Sequence, residues 1–244
     1  MDTESGIRIN KYIASCGVCS RRDADKLIES GKVTLNGKPA APGDRVMPGD
    51  SVKVGKKLLT EKTERTVLAY YKPVGVTCTE RDSHADVTLK DVLRYKERVT
   101  YAGRLDRDSE GLLLLTDDGD LIQAMMKGEN GHEKEYVVKI SKPVTKEFVE
   151  KMSEGIYLKD LNKTTRPCKV ERVTKDSFSI ILTQGMNRQI RRMCETLDVK
   201  VLSLKRVRVL TVTLGKLKPG EYRKLSNAEV EELKAATENG RGLL

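Results

Sequence analysis

The chain has 244 residues, which is enough for one or two domains with a sizeable core. It carries 46 Lys and Arg against 36 Asp and Glu, and the net charge of +10 favours a polyanionic partner over acidic small molecules. No apolar run approaches the roughly 18 residues of a membrane-spanning helix and no segment resembles a signal peptide, so we expect nucleic acid rather than a membrane.

The five cysteines, at positions 16, 19, 78, 168 and 194, are odd in number and scattered along the chain. This pattern argues against a disulfide framework and predicts a reducing, cytoplasmic setting. Cys16 and Cys19 form a lone CxxC without a second pair or a neighbouring His. The chain has two His in all, and we therefore expect no metal site.

The N-terminal part of the chain reads as two helices followed by a hairpin. Apolar residues at helical spacing predict a helix over residues 8–16. Ser20 is placed to cap a second helix, and Gly31 is placed to end it. Asn36-Gly37 is the strongest two-residue signal for a hairpin turn.

Three strings in this part resemble the S4 RNA-binding domain. They are Arg-Ile-Asn-Lys-Tyr-Ile from residue 8, Gly-Val-Cys-Ser-Arg-Arg-Asp-Ala-Asp-Lys-Leu-Ile from residue 17, and Gly-Lys-Val-Thr-Leu-Asn-Gly from residue 31. The resemblance covers about residues 7–54. It implies an S4 domain at residues 1–60, followed by a polar linker to about residue 65.

Six basic side chains would cluster around the two helices of this domain. By residue type alone they would fit an ordinary solvated helix face. With the S4 resemblance we expect them to contact RNA phosphates, which gives affinity and placement rather than sequence readout. The predicted RNA-binding residues are Arg8, Lys11, Arg21, Arg22, Lys26 and Lys32.

A charged loop, Gly103–Gly111, precedes the apolar run Leu112–Leu115, which has the length of a buried strand. A polar loop supported by a buried strand is a common place for catalytic residues. Asp106 lies between Arg104 and Arg107, and nearby cations keep a carboxylate ionised. Residue types alone fit a solvated turn as well as a catalytic loop.

Strands and helices flank this loop. Residues 67–71 read as a strand and residues 89–95 as a short helix, with His84 between them expected to be exposed rather than catalytic. After the leucine run, residues 121–126 read as a helix and residues 136–140 as an alternating strand.

Tyr136 opens that strand. An aromatic face can stack on a base extruded from RNA, which is worth about 1–3 kcal/mol. A core tyrosine with a satisfied hydroxyl fits the residue type as well. Further along, a helix is expected between Thr145 and Gly155, and Ser226 with Glu229 predicts the capping box of a last helix.

The segment Gln184–Cys194 is the third informative stretch. Apolar residues from Ile190 to Leu197 have helical spacing, so Arg188, Arg191 and Arg192 should lie on the first turns of a helix. Exposure to solvent is the simplest interpretation of each arginine taken alone.

These three segments resemble motifs of the RNA pseudouridine synthases, in the family's order and spacing. The strings are Gly-Arg-Leu-Asp with Ser-x-Gly-Leu-Leu from residue 103, Glu-Lys-Glu-Tyr from residue 133, and Asn-Arg-Gln-Ile-Arg-Arg-Met from residue 187. A Lys-Pro-x-Gly step typical of the family precedes them at residue 72. The resemblance is to the RsuA-like group, which modifies ribosomal RNA. It implies an α+β protein whose catalytic domain, residues 66–238, has a mixed, mainly antiparallel sheet core flanked by helices, followed by a tail at residues 239–244.

The resemblance also implies roles for individual residues. Asp106 would be the catalytic carboxylate, Tyr136 would lie against the target base, and Arg191 would pair with Asp106 in a bidentate bond that fixes its orientation and ionisation. Arg104 would fill the space that the extruded base leaves. The other expected substrate-binding residues are Arg107, Asn187, Arg188, Gln189 and Arg192.

The implied reaction cleaves the N-glycosidic bond of a uridine, turns the uracil and rejoins it through carbon. Because every atom is conserved, we expect no cofactor and no metal. The expected partner is a stem-loop of large-subunit (23S) ribosomal RNA, bound by a monomer. Two alternatives stay open: an enzyme for small-subunit (16S) rRNA, and a non-catalytic S4-type RNA-binding protein.

Overall fold

The computed structural model describes residues 6–79, 86–127 and 131–239. The predictions for His84 and for the tail beyond residue 239 lie outside the described residues. The chain divides into two compact units. The first comprises residues 1–66, 95–99 and 117–119, and the second residues 67–94, 100–116 and 120–244.

The N-terminal unit combines two helices with short antiparallel strands. Its elements are β1 Ile7–Arg8, α1 Ile9–Ser15, α2 Arg21–Glu29, β2 Val33–Leu35, β3 Lys38–Pro39, β4 Arg45–Val46, β5 Val52–Val54 and β6 Lys57–Leu58. β1 pairs with β4, and the other strands form a sheet in the order β3-β2-β5-β6.

Local chemistry fixes these elements as predicted. The Ser20 hydroxyl accepts a hydrogen bond from the Asp23 amide at 3.1 Å and donates one to the Asp23 carboxylate at 2.7 Å, which caps α2. Asn36 and Gly37 have φ values of 52° and 79°, the left-handed conformations that a two-residue hairpin turn uses. The apolar faces of both helices pack against the strands in a core of their own.

The stretch expected to be a linker, residues 55–65, is partly structured. β6 pairs with β5 there, and Leu59 is buried in the core of the N-terminal unit. Lys62 forms ion pairs with Glu97 at 2.6 Å and Asp117 at 2.8 Å. A two-residue strand is too short to leave a periodic pattern in the sequence, which explains why it was not predicted.

The second unit is built on one large sheet. The strands of the unit are β7 Val67–Lys72, β8 Thr100–Tyr101, β9 Glu110–Thr116, β10 Lys134–Ile140, β11 Tyr157–Leu158, β12 Lys163–Thr164, β13 Lys169–Arg172, β14 Ser177–Leu182, β15 Val201–Val209, β16 Val212–Thr213 and β17 Tyr222–Lys224. Its helices are α3 Leu89–Val92, α4 Gly119–Met126, α5 Lys146–Glu154, α6 Gln189–Thr196 and α7 Asn227–Asn239. β11 and β12 pair with each other outside the large sheet.

The sheet has the strand order β13-β14-β10-β15-β9-β7-β17, with β16 on β15 and β8 on β9. β15 runs parallel to β9, and the other pairings between these strands are antiparallel. The predicted mixed, mainly antiparallel sheet is therefore confirmed. Helix ends follow the predicted signals: Thr145 caps α5, Gly155 ends it, and Ser226 with Glu229 caps α7.

The leucine run is a buried strand, as predicted. Leu112–Leu115 are fully inaccessible to solvent in the middle of β9, between β7 and β15. At its start, Gly111 lies opposite Arg206 of β15 and has a φ of 107°. A Cβ atom there would lie 2.3 Å from the Arg206 carbonyl oxygen, so only glycine fits. This close approach fixes the end of the charged loop against the sheet.

Within the described parts of the chain, the helices are too short or too polar to cross a lipid bilayer.

Candidate active site

A cavity of about 540 Å³ lies in the second unit. Three segments that are far apart in the sequence line it: the charged loop, the start of β10, and the stretch that leads into α6. Asp106, Tyr136 and Arg191, the three predicted catalytic residues, all line this cavity. The topology produces this meeting, because β10 and β9 both flank β15 in the sheet.

Two buried cations hold the charged loop in place through its carbonyl groups. The Lys72 ammonium is fully buried and donates to the carbonyl oxygens of Pro73 at 2.8 Å and Ser109 at 2.7 Å. The Arg206 guanidinium, 2% exposed, donates to those of Leu112 at 2.7 Å and Arg104 at 3.2 Å.

The environment of these two side chains differs from that of surface cations. Burial lowers the pKa of Lys72, and the charges of Cys78, Asp106 and Asp108 oppose that shift. Arg206 lies on a strand with two other basic residues, Lys205 and Arg208, a pattern typical of a positive surface, yet it is buried. Its strand pairing with Gly111 turns the guanidinium inward to the loop carbonyls.

Asp106 is half-buried on the cavity wall. Among the residues that the structure describes, its carboxylate makes no hydrogen bond or salt bridge, while its backbone carbonyl accepts a bond from the Ser109 amide at 3.1 Å. The carboxylate interacts electrostatically with Lys72 and Arg188. It is therefore surrounded by positive charge and available to a substrate.

The expected bidentate pair between Arg191 and Asp106 is not present. Arg191 instead contacts Asp108, with its Nε 3.2 Å from the carboxylate and an NH2 donating to the Asp108 carbonyl oxygen at 2.8 Å. Arg188 forms the bidentate bond, also to Asp108, with both contacts at 3.0 Å. Burial opposes ionisation of Asp108, but these two arginines outweigh it and lower its pKa.

The physical reason for this difference lies in the loop. Asp106 and Asp108 are two residues apart, so residue types could not decide which carboxylate faces α6. Arg188 precedes α6 in a left-handed conformation, with a φ of 51°. Since few residues other than glycine adopt this conformation, the helical pattern gave no sign of it.

The remaining predicted substrate-binding residues divide into two groups. Arg104, Arg107 and Asn187 are exposed and line the cavity, and Arg107 also forms an ion pair with Asp86 at 2.5 Å. The second group holds Gln189, which is buried but also lines the cavity, and Arg192, which does not line it. The structure gives each of them contacts within the protein.

Gln189 is 4% exposed, and its side chain accepts a bond from the Met186 amide at 3.1 Å and contacts the Met193 sulfur. It fixes the turn before α6. Arg192 lies outside the cavity lining and forms an ion pair with Asp160. Consecutive residues at the start of a helix point in different directions, which explains why one motif contains both cavity-lining and structural side chains.

Tyr136 is half-buried on β10 and also packs against the core of the second unit. The sequence allowed either a core tyrosine or a tyrosine that contacts the substrate. The structure shows both features, since the ring packs against the core and also lines the cavity. Lys134 and His132 line the same cavity, and the sequence prediction did not include them. The signal for Lys134 was its spacing, since residues i and i+2 of a strand share a face.

The basic residues predicted to bind RNA lie in the N-terminal unit. Lys11 is half-buried on α1, and the others are exposed. The exposed residues are Arg8, Arg21, Arg22, Lys26 and Lys32. Three of them, Arg21, Arg22 and Lys26, lie on α2, while Arg8 directly precedes α1 and Lys32 follows α2. Exposed cations grouped in this way are suited to phosphate contacts.

Comparisons with known proteins agree with this geometry. The family described as RNA pseudouridylate synthase matches residues 66–196, and the S4 domain matches residues 7–52. The chain is 44% identical over 238 residues to the dual-specificity RNA pseudouridine synthase RluF of Escherichia coli, covering 97% of this chain and 81% of that protein. It is 34% identical to the ribosomal large subunit pseudouridine synthase B of Bacillus subtilis, covering 96% of this chain and 98% of that protein. A crystal structure of a pseudouridylate synthase has a TM-score of 0.68 and 30% identity, and the match covers 93% of this chain and 100% of that one. From its motifs, its cavity and these relatives, the chain belongs to the RNA pseudouridylate synthase family.

Proposed function

We propose that the chain isomerises a specific uridine to pseudouridine in large-subunit (23S) ribosomal RNA. The observation that carries the proposal is the cavity, where the Asp106 carboxylate, an aromatic side chain and an arginine from three distant segments meet. The Bacillus subtilis relative is named for the large ribosomal subunit, which supports the choice of RNA.

The mechanism begins with extrusion of the target base, because a base inside folded RNA cannot reach a protein cavity. Arg104, exposed at the cavity, fills the space that the base leaves. Tyr136 then stacks against the uracil. The N1–C1′ bond breaks, the uracil turns, and a C5–C1′ bond forms while C5 loses its proton and N1 gains one.

Asp106 starts the cleavage of the N1–C1′ bond in one of two ways. It attacks C1′ as a nucleophile and is displaced when C5 bonds to C1′, or it removes the C2′ proton as a base and returns it when C5 bonds to C1′. Either role requires an ionised carboxylate. The Lys72 and Arg188 side chains both interact electrostatically with the Asp106 carboxylate.

The cellular setting follows from the substrate. We place the enzyme in the cytoplasm together with its ribosomal RNA substrate, in keeping with the scattered cysteines. Asp106, Tyr136 and Arg191 line one cavity within a single chain, which supports action as a monomer.

The substrate choice is tested with separate large- and small-subunit rRNA transcripts, incubated with the protein and mapped for pseudouridine. We expect modification of one uridine in the large-subunit transcript. Modification confined to the small-subunit transcript would favour the 16S alternative. A third sample should contain the remaining cellular RNA, because the Escherichia coli relative is named as a dual-specificity enzyme.

We further propose that the S4 domain supplies affinity rather than chemistry. Replacing Arg21, Arg22 and Lys26 together by Gln should weaken RNA binding and reduce the slope of log affinity against log salt by about 1 for each lost phosphate contact. Conversion at saturating RNA should stay near the wild-type rate. Filter binding at several salt concentrations measures both quantities.

The matched control for this triple variant replaces three exposed lysines of the S4 sheet, Lys38, Lys56 and Lys57, by Gln. It removes the same charge from the same unit but leaves both helices intact. If both triple variants lost the same affinity, overall charge would explain binding, and a specific helical contact surface would not.

A further inference from the structure

Lys134 is a cation on the cavity wall within the Glu-Lys-Glu-Tyr string, and the mechanism above gives it no role. It is the first residue of β10, two residues before Tyr136, so both side chains extend from the same face of the strand. Both line the cavity together with Asp106. The residues paired with Lys134 on the neighbouring strands are Leu182 and Val209, both buried and apolar.

This ammonium group has few partners. Among residues 6–79, 86–127 and 131–239, its Nζ donates one hydrogen bond, to the His132 carbonyl oxygen at 3.2 Å. An ammonium has three N–H donors, and a largely desolvated charge is costly when it lacks a partner. In the parts of the chain that the structure describes, no carboxylate forms a salt bridge with Lys134.

The nearest carboxylates along the strand are already engaged. Arg208 of β15 binds Glu133 at 2.9 Å and Glu135 at 3.0 Å. Arg206, also on β15, adds a second positive charge near Lys134. Lys134 therefore has free donors and lies in a region of positive potential, which fits a ligand that is or becomes anionic.

Charged or titratable side chains line the cavity from several segments: Arg104, Asp106 and Arg107 from the loop, Lys127 after α4, His132 before β10, and Arg206 from β15. Arg188, which precedes α6, and Arg191, on the first turn of α6, line it as well. Both of these arginines contact Asp108. Lys134 thus differs from them, because its charge is not committed to a protein carboxylate.

The reaction of the proposed function creates a suitable anion. When the N1–C1′ bond breaks, its electron pair stays with the uracil and is delocalised over N1, O2 and O4. This happens whether Asp106 attacks C1′ or removes the C2′ proton. A preorganised cation beside the developing charge lowers the barrier of such a step.

We propose that Lys134 is a catalytic residue that donates a hydrogen bond to a carbonyl oxygen of the flipped uracil. It stabilises the negative charge that the base carries between cleavage of the N–C bond and formation of the C–C bond. The inference rests on the proposed function, because it assigns a role within the same reaction.

The protonation state of Lys134 makes the role measurable. Burial, with a contribution from the Arg206 charge, lowers the pKa of Lys134 to about 8. The ammonium form, which the role requires, is present below that pH and is lost above it. The ratio of the single-turnover rate constant to the half-saturating RNA concentration should therefore fall above about pH 8, since this ratio reports the free enzyme.

The experiment compares the full-length wild type, Lys134→Met and Lys134→Arg on a stem-loop substrate under single-turnover conditions. Lys134→Met should lower the rate constant by about 10²–10³-fold, with the RNA dissociation constant within twofold of wild type. Lys134→Arg should retain more of the rate, and its fall above about pH 8 should disappear, because arginine stays protonated there. If ionisation of the uracil itself caused the fall in rate at high pH, the fall would be the same for the wild type and Lys134→Arg.

Lys139→Met is the matched control, since Lys139 lies on the same strand, is 53% exposed and does not line the cavity. Circular dichroism and RNA binding establish that each variant is folded. A Lys134→Met rate constant within twofold of wild type would overturn the inference, while the proposed function would stand. The same conclusion would follow if the fall in rate above about pH 8 were unchanged in Lys134→Arg. No conversion by the wild type on any RNA would overturn the proposed function and this inference with it.

Discussion

Asp106→Asn is expected to abolish pseudouridine formation while RNA binding survives. The substitution keeps the size of the side chain but removes its negative charge, and with it both nucleophilicity and basicity. We expect the single-turnover rate constant to fall by at least about 10⁴-fold. The dissociation constant should stay within a few-fold of wild type, because the phosphate contacts come from Arg and Lys side chains elsewhere.

Asp198→Asn provides the control for this variant. Asp198 is exposed in the second unit and has a φ of 56°, a conformation that Asn also tolerates. This control should convert the stem-loop at the wild-type rate. Near-normal conversion by Asp106→Asn would instead remove the basis of the mechanism and favour the non-catalytic RNA-binding alternative.

The parts of the fold that could be predicted are those that local chemistry determines. The Asn36-Gly37 turn, the Ser20 cap and the buried strand Leu112–Leu115 each depend on a few adjacent residues, and each has the expected structure. The three motifs also located the cavity, because a family resemblance carries spatial information that periodicity lacks. The assignment of Asp106, Tyr136 and Arg191 as catalytic stays a prediction until variants are measured.

The parts that could not be predicted depend on long-range geometry. Arginine is usually found at the protein surface. Arg206 is buried because it pairs opposite Gly111, and there it holds the charged loop through hydrogen bonds. Gln189 is polar, yet its amide completes a turn inside the protein. In both cases the deciding contact involves backbone groups, which the identity of the side chain does not reveal.

The ion pairs of Asp108 lead to the second large expected effect. Arg191→Ala should lower the rate constant strongly, because Arg191 joins α6 to the loop through the Asp108 carboxylate and carbonyl oxygen. Arg191→Lys should recover part of the rate, since lysine keeps the charge but loses the planar fork. Arg172→Ala is the matched control, because Arg172 is exposed in the second unit and does not line the cavity.

A double-mutant cycle decides which carboxylate Arg191 serves during the reaction. If it acts through Asp108, then Arg191→Ala should cost little more in an Asp108→Asn background, and the coupling energy should be about 1–3 kcal/mol. If Arg191 moves to Asp106 when RNA binds, the two substitutions should be additive, and the pairing inferred from the motifs would hold in the complex. The rate constants of the four proteins on one stem-loop, with binding measured alongside, separate these outcomes. Among the described residues, no side chain forms a hydrogen bond or salt bridge with the Asp106 carboxylate, so we expect the first outcome. Asp108 then holds the two arginines, and the Asp106 carboxylate is left to react.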